Sequence, residues 1–142
     1  MEQGSATPIL VVAYRTAATP KLLEAVRDRA QRGPCAFTLL LPRPYWDPDT
    51  EEVALTLELA VPLLEDAAGG HVEGIVGESD PFVAVRELLR ARRFDEVIVS
   101  TLPEHVSHWL RRDLPHRIEE LGLPVTVVTA KRSDRSVRPP SA

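Results

Sequence analysis

Four short apolar runs decide what this chain can become. Ile9-Leu10-Val11-Val12-Ala13, Ala36 to Leu41, Val97-Ile98-Val99 and Val125 to Val128 are continuous and mostly rich in β-branched residues. A strand with one wet face alternates apolar and polar residues, whereas an unbroken apolar run suits a strand covered on both faces. A weaker run, His71 to Val76, stands between the second and the third. The segments separating these runs carry helical spacing and helix punctuation. The resulting order, β-α-β-α-β-α-β-α-β, predicts an α/β fold with a five-stranded parallel sheet and helices on both faces.

The helices are marked by their ends. Thr19 is expected to cap the first, with Pro20 at its first position, where a missing N–H costs little. Leu22, Leu23, Val26 and Ala30 form its apolar stripe, and Gly33-Pro34 ends it. The segment Val53, Leu55, Leu57, Leu59, Val61 alternates strictly, which is a strand pattern. Its Leu, Glu and Ala content and the acidic start Glu51-Glu52 favour helix instead. The expectation is a helix over Thr50 to Ala68 that buries Val53, Leu57, Ala60, Val61 and Leu64, is kinked or interrupted at Pro62, and stops at Gly69-Gly70. Ser79 or Asp80 should cap the third helix, with Phe82, Val85, Leu88 and Leu89 on its buried side. Ser100 to Arg112 reads as a polar connection with at most a helical turn. Asp113 should cap a last helix carrying Leu114, Ile118 and Leu121, closed by Gly122.

Composition narrows the function classes. The 142 residues hold 17 basic and 21 acidic side chains, a net charge of -4, which argues against a dedicated nucleic-acid binder. No apolar run approaches the ~20 residues of a membrane span. MEQGSATP lacks the basic start and apolar core of a signal peptide. The single cysteine, Cys35, has no second cysteine to bridge and reads as a small apolar filler, so a cytoplasmic address is expected. Pro8 to Ala130 is expected to form one domain. Residues 1–7, small and polar, and 131–142, with two consecutive prolines, are expected to be flexible tails.

In such sheets ligands bind beyond the C-terminal strand ends, where the strand order reverses. If the first and fourth strands are neighbours, the crevice is bounded by Tyr14, Arg15 and Thr16 on one side and Ser100, Thr101, Leu102 and Pro103 on the other. Arg111 and Arg112 could join Arg15 as an anion clamp, since guanidinium forks match carboxylate and phosphate. The competing reading of these arginines is solvated or paired surface charge. Ser100 and Thr101 could donate to a ligand or equally satisfy loop backbone. Tyr45 and Trp46, in a proline-rich loop, would overhang the crevice, Trp46 either stacking on a ligand or anchoring its own loop. Trp109 reads as core beneath the last helix. His105 and His108, three apart, lack the further ligands a zinc site needs, so no metal is expected. A Ser100–His105–Asp113 triad has no nucleophile elbow to support it.

Taken together, ILVVAYRT (9–16), GESDPFVAVREL (77–88), FDEVIVSTLP (94–103) and DLPHRIEELGLPVTVV (113–128) resemble, in order and spacing, the universal stress protein family. The resemblance spans about Pro8 to Thr129. It implies a Rossmann-like parallel sheet in the order 3-2-1-4-5 and a homodimer through the last, edge strand, Val125 to Val128. Nucleotide-binding members carry Gly, two residues, Gly, nine residues, Gly, then Ser or Thr after the fourth strand. Here those glycines fall on Ser100, Pro103 and Arg112 or Asp113, and the family's nucleoside-contacting Asp at the end of the first strand is Tyr14. Proline removes a backbone donor, and a carboxylate at a helix start repels phosphate. ATP or AMP bound in the family's usual manner is therefore disfavoured, and no cofactor is assigned.

The leading expectation is a cytoplasmic, non-enzymatic, universal-stress-like homodimer that holds a small anionic or nucleotide ligand, or none, with no nucleic-acid or membrane partner. The alternatives are a nucleotide-binding or nucleotide-hydrolysing enzyme of the related α/β superfamily, which rests on fold analogy, and a structural interaction module.

Overall fold

In a computed structural model of the chain, residues 6–44, 51–103, 109 and 113–130 are described. Five strands, β1 (Thr7–Val12), β2 (Cys35–Pro42), β3 (Val72–Gly77), β4 (Glu96–Thr101) and β5 (Val125–Thr129), form one sheet in the order β3-β2-β1-β4-β5. Every neighbouring pair is parallel. Among the described residues, four helices, α1 (Pro20–Ala30), α2 (Glu51–Ala68), α3 (Pro81–Ala91) and α4 (Leu114–Glu119), lie between the strands. This is the five-stranded parallel α/β architecture read from the apolar runs.

Strand pleat explains why the runs are unbroken. Ile9, Val11, Leu39, Leu41 and Ile98 point into one core with α1 and α2, while Leu10, Val12, Leu40, Val97 and Val99 point into a second core with α3 and α4. Burying one such side chain fully is worth about 1.5–3 kcal/mol, so a polar residue on either face of β1 would be costly. The chain crosses from one face to the other between β3 and β4, which places β1 and β4 side by side at the point where strand order reverses.

The ambiguous segment is helix. Val53, Ala60 and Leu64 are buried, and Leu57 and Val61 pack half-buried against the same core. α2 approaches β3 closely: a Cβ on Gly74 would come within 2.7 Å of the Leu57 side chain. Gly69, at φ +76°, ends the helix in a left-handed turn, its N–H donating to the Glu65 carbonyl at 2.8 Å.

Several local expectations are corrected. α2 runs uninterrupted through Pro62, which is exposed; the carbonyl its missing N–H leaves without a helical partner belongs to Glu58, also exposed. Thr19 occupies the first cap position but its side chain does not cap α1; its hydroxyl turns back and donates to the Thr16 carbonyl at 3.1 Å. Asp113 does not cap α4 either. Its backbone is left-handed, φ 59°, whereas a capping side chain is aimed by extended backbone. Leu121 lies beyond the end of α4 in the turn at Gly122 and is exposed, not core. Asp80, by contrast, caps α3 as expected, accepting from the Phe82 and Val83 N–H groups at 2.9 and 3.2 Å. β1 begins at Thr7, inside the expected flexible tail and two residues before the apolar run at Ile9; its N–H donates to the Pro34 carbonyl and it pairs with Cys35.

Candidate functional site

The C-terminal ends of β1 and β4 are pinned together by side chains. Thr16 and Ser100 are both buried, and the Ser100 hydroxyl lies 2.7 Å from the Thr16 hydroxyl and 3.4 Å from the Thr16 carbonyl. The residues are 84 positions apart in sequence, and strand pairing brings them together: the β1–β4 register sets Val12 opposite Val99, so the loop after β1 meets the end of β4 at Ser100. The Thr16 carbonyl also accepts from Thr19 at the start of α1, so one short loop is held at three points. Of the two roles open to Ser100, satisfying a loop is thus visible in the geometry.

Next to this pin, Thr101 is buried on the opposite face of the sheet, and among the described residues its hydroxyl oxygen has no hydrogen-bond partner. The guanidinium Nε of Arg43, at the end of β2, is likewise buried without one. A third such atom, Arg86 Nε on α3, is buried without a partner among the described residues, and each of the three costs about 1–3 kcal/mol.

On the other side of the β1 end lies an open pocket of about 400 Å³, lined by Tyr14, Arg15, Glu52, Thr56, Leu59 and Ala60 among others. The Tyr14 hydroxyl donates to Glu52 Oε2 at 2.6 Å, tying the β1 loop to the first turn of α2. Burial, followed by the Glu52 hydrogen bond and charge, pushes the Tyr14 phenol up to about 12, so the group is a neutral donor at every physiological pH. Arg15 is exposed at the pocket mouth. Glu52 carries no local signal for this role; 38 residues from Tyr14, it reads in sequence only as part of an acidic helix start.

The structure brings Thr16 together with Ser100, sets Thr101 beside Ser100 in β4, and puts Tyr14 and Arg15 on the α2 side of the same loop. Arg111 and Arg112 lie outside the described residues, as do His105, His108, Tyr45 and Trp46. The Ser100 hydroxyl of the drawn triad is engaged by Thr16. Trp109 packs half-buried with the core that includes Leu114 and Ile118. The Cys35 thiol lies 3.3 Å from the Gly33 carbonyl, and burial pushes its pKa up, which keeps it a protonated, unreactive filler. No group of three His, Cys, Asp or Glu side chains that could hold a metal occurs among the described residues. No helix among them is long and apolar enough to cross a membrane.

No protein-family model matches the chain, and no curated protein matches it in sequence. Solved structures do match. A universal stress protein from Archaeoglobus fulgidus superposes with a TM-score of 0.62, covering 86% of this chain and 93% of that one at 15% identity. A universal stress protein crystallised in complex with cAMP gives a TM-score of 0.62, covering 89% of this chain and 100% of that one at 16% identity. With the strand order, the two-faced core and these superpositions, the chain has the fold of the universal stress proteins.

Proposed function

We propose that this chain is a non-enzymatic ligand-holding module of the universal-stress type, with its site around the β1–β4 junction: Tyr14, Arg15, Thr16, Ser100 and Thr101, joined by Arg111 and Arg112. The observation that carries the reading is the buried Thr16–Ser100 pair, which fixes the strand-reversal point while Tyr14, Arg15 and Glu52 line an open pocket beside it. An exposed guanidinium beside the Tyr14–Glu52 pair, at the edge of a partly apolar depression, suits a small polar ligand with an anionic end, such as a nucleoside monophosphate or a cyclic nucleotide. The comparison protein solved with cAMP lends the nucleotide its place in the test. A binding role fits better than catalysis because the serine hydroxyl at the junction is occupied in a structural bond and no base addresses it among the described residues.

The proposed assembly is a homodimer along β5. That strand ends the sheet, so one of its edges has no partner strand among the described residues, and Val127 on it is exposed. The proposed address is the cytoplasm, consistent with a lone cysteine.

A thermal-shift panel with AMP, cAMP and ATP tests the site. A ligand present at about 100 times its Kd adds about 2.7 kcal/mol of stability. The expected result is a raised melting temperature with AMP or cAMP that Arg15→Ala abolishes, without nucleotide turnover. No shift with any of the three, or release of phosphate or pyrophosphate, contradicts the reading.

A further inference from the structure

α2 is apolar on two sides. Its inner side packs on the sheet through Val53, Ala60 and Leu64. Its outer side carries Leu55, Leu59 and Leu63, which are 61%, 71% and 46% exposed. At 3.6 residues per turn these three, with exposed Pro62, fall within an arc of about 100°, roughly 130° away from the inner side. Half of the large exposed apolar side chains among the described residues lie on these two turns: the others, Val76, Leu121 and Val127, are scattered on β3, the turn after α4 and β5. Single exposed leucines are ordinary, but a stripe at i, i+4 and i+8 is the pattern of a helix that meets another helix.

Charge says what covers it. α2 holds Glu51, Glu52, Glu58, Glu65 and Asp66 and no cation. Glu52 is engaged by Tyr14, and Glu65 by His71 and the Val72 N–H. Glu51, Glu58 and Asp66 are exposed and border the leucine stripe at its start, its flank and its end. Pro62 adds an acceptor to that border, because the Glu58 carbonyl has no N–H at residue 62 to bond. The outer surface of α2 is therefore a leucine ridge edged by acceptors and negative charge. A second α2 laid against it would face like charges at every border position, which disfavours self-pairing.

We propose that this face of α2 docks a basic amphipathic helix of a partner protein, with the partner's apolar side chains between Leu55, Leu59 and Leu63 and its lysines or arginines over Glu51, Glu58 and Asp66. Helix recognition through i, i+4 apolar anchors with complementary charged edges is a recurring mode of association. This surface is separate from the β5 edge. Leu59 also borders the Tyr14–Arg15 pocket, so a docked helix would lie at the mouth of that pocket.

Fluorescence anisotropy with the full chain and a labelled leucine–lysine amphipathic peptide tests the proposal. A control peptide keeps the leucine spacing and replaces every lysine by glutamate. The lysine peptide is expected to bind, and the glutamate peptide to bind at least about tenfold more weakly. Combining Leu55→Gln, Leu59→Gln and Leu63→Gln should weaken lysine-peptide binding at least about tenfold with the melting temperature held or raised, since these side chains are not in the core. Leu121→Gln, an exposed leucine elsewhere, should leave binding unchanged. Absent binding, equal binding of both peptides, or equal effects of Leu121→Gln and the triple change would overturn the proposal. So would a wild-type dimer in sedimentation that the triple change dissociates, because the occupant would then be a second copy.

Discussion

The two ends of the sheet are built on different chemistry. At the N-terminal ends of the strands, charges pair. Arg29 of α1 grips Glu96 of β4 with two guanidinium nitrogens, Nε at 3.0 Å from Oε1 and Nη2 at 2.6 Å from Oε2. The arginine holds the Glu96 carboxyl below the usual carboxylate range, and the carboxylate raises the Arg29 guanidinium in turn. Arg92, at the end of α3, reaches Glu73 at 2.9 Å and the Thr38 hydroxyl at 3.2 Å, and stacks over the Phe94 ring. At the C-terminal ends the fastening is by hydroxyls, Thr16 with Ser100 and Tyr14 with Glu52, and the Thr101 hydroxyl and Arg43 Nε are left without partners among the described residues. One end is fastened by ion pairs and the other by hydroxyls, and the proposed ligand site lies at the second.

Removing the clamp at the ion-paired end should have the largest effect. Arg29→Ala leaves a partly buried carboxylate alone and is expected to cost about 2–3 kcal/mol in urea unfolding at neutral pH. The wild-type advantage should fade in acid: the Glu96 pKa is depressed in the fold, so its contribution is present above the unfolded value, about 4.3, and is lost as pH falls through the folded one. A difference between the proteins that persists unchanged at low pH would locate the effect elsewhere than in the ion pair.

The hydroxyl pin should be weaker and reciprocal. Thr16→Val or Ser100→Ala alone is expected to cost about 1–2 kcal/mol, because each leaves a buried hydroxyl without its partner, and the double change should cost less than the sum. Strict additivity in the cycle would mean that the two side chains act independently. Smallest is Tyr14→Phe, worth about 0.5–1 kcal/mol at neutral pH for an exposed hydrogen bond. Its signature is alkaline. With the folded phenol near 12, stability is fully present below the unfolded value of about 10 and declines as pH rises toward 12. Tyr14→Phe should remove that decline from the pH dependence of the urea midpoint, and an unchanged alkaline slope would contradict the Tyr14–Glu52 bond.

The fold was written in the apolar runs, because a strand buried on both faces can hold nothing else, and β1, β2 and β4 have both faces in a core. The helix–strand ambiguity of Val53 to Val61 has a physical cause. A helix with an inner stripe at Val53, Leu57 and Val61 and an outer one at Leu55 and Leu59 produces strict alternation without being a strand. Caps were less legible. Asp80 and Asp113 are the same residue type before a helix, but only the first has the extended backbone that aims its carboxylate at free N–H groups. Of the site, the strand ends were legible and the partnerships were not. Nothing local ties Thr16 to Ser100 or Tyr14 to Glu52, since each bond depends on how the sheet and α2 pack.

The central claim is that a ligand is held at the hydroxyl-fastened end, around the β1–β4 junction. Backbone amide mapping by heteronuclear NMR, titrating AMP or cAMP into the full chain, tests it most directly. The expected shifts centre on Tyr14 to Thr16, Glu52, Ser100 and Thr101, and leave Arg29, Arg92 and Glu96 untouched. Saturable shifts centred on the Arg29–Glu96 end, or no shifts at all at millimolar ligand, would contradict it.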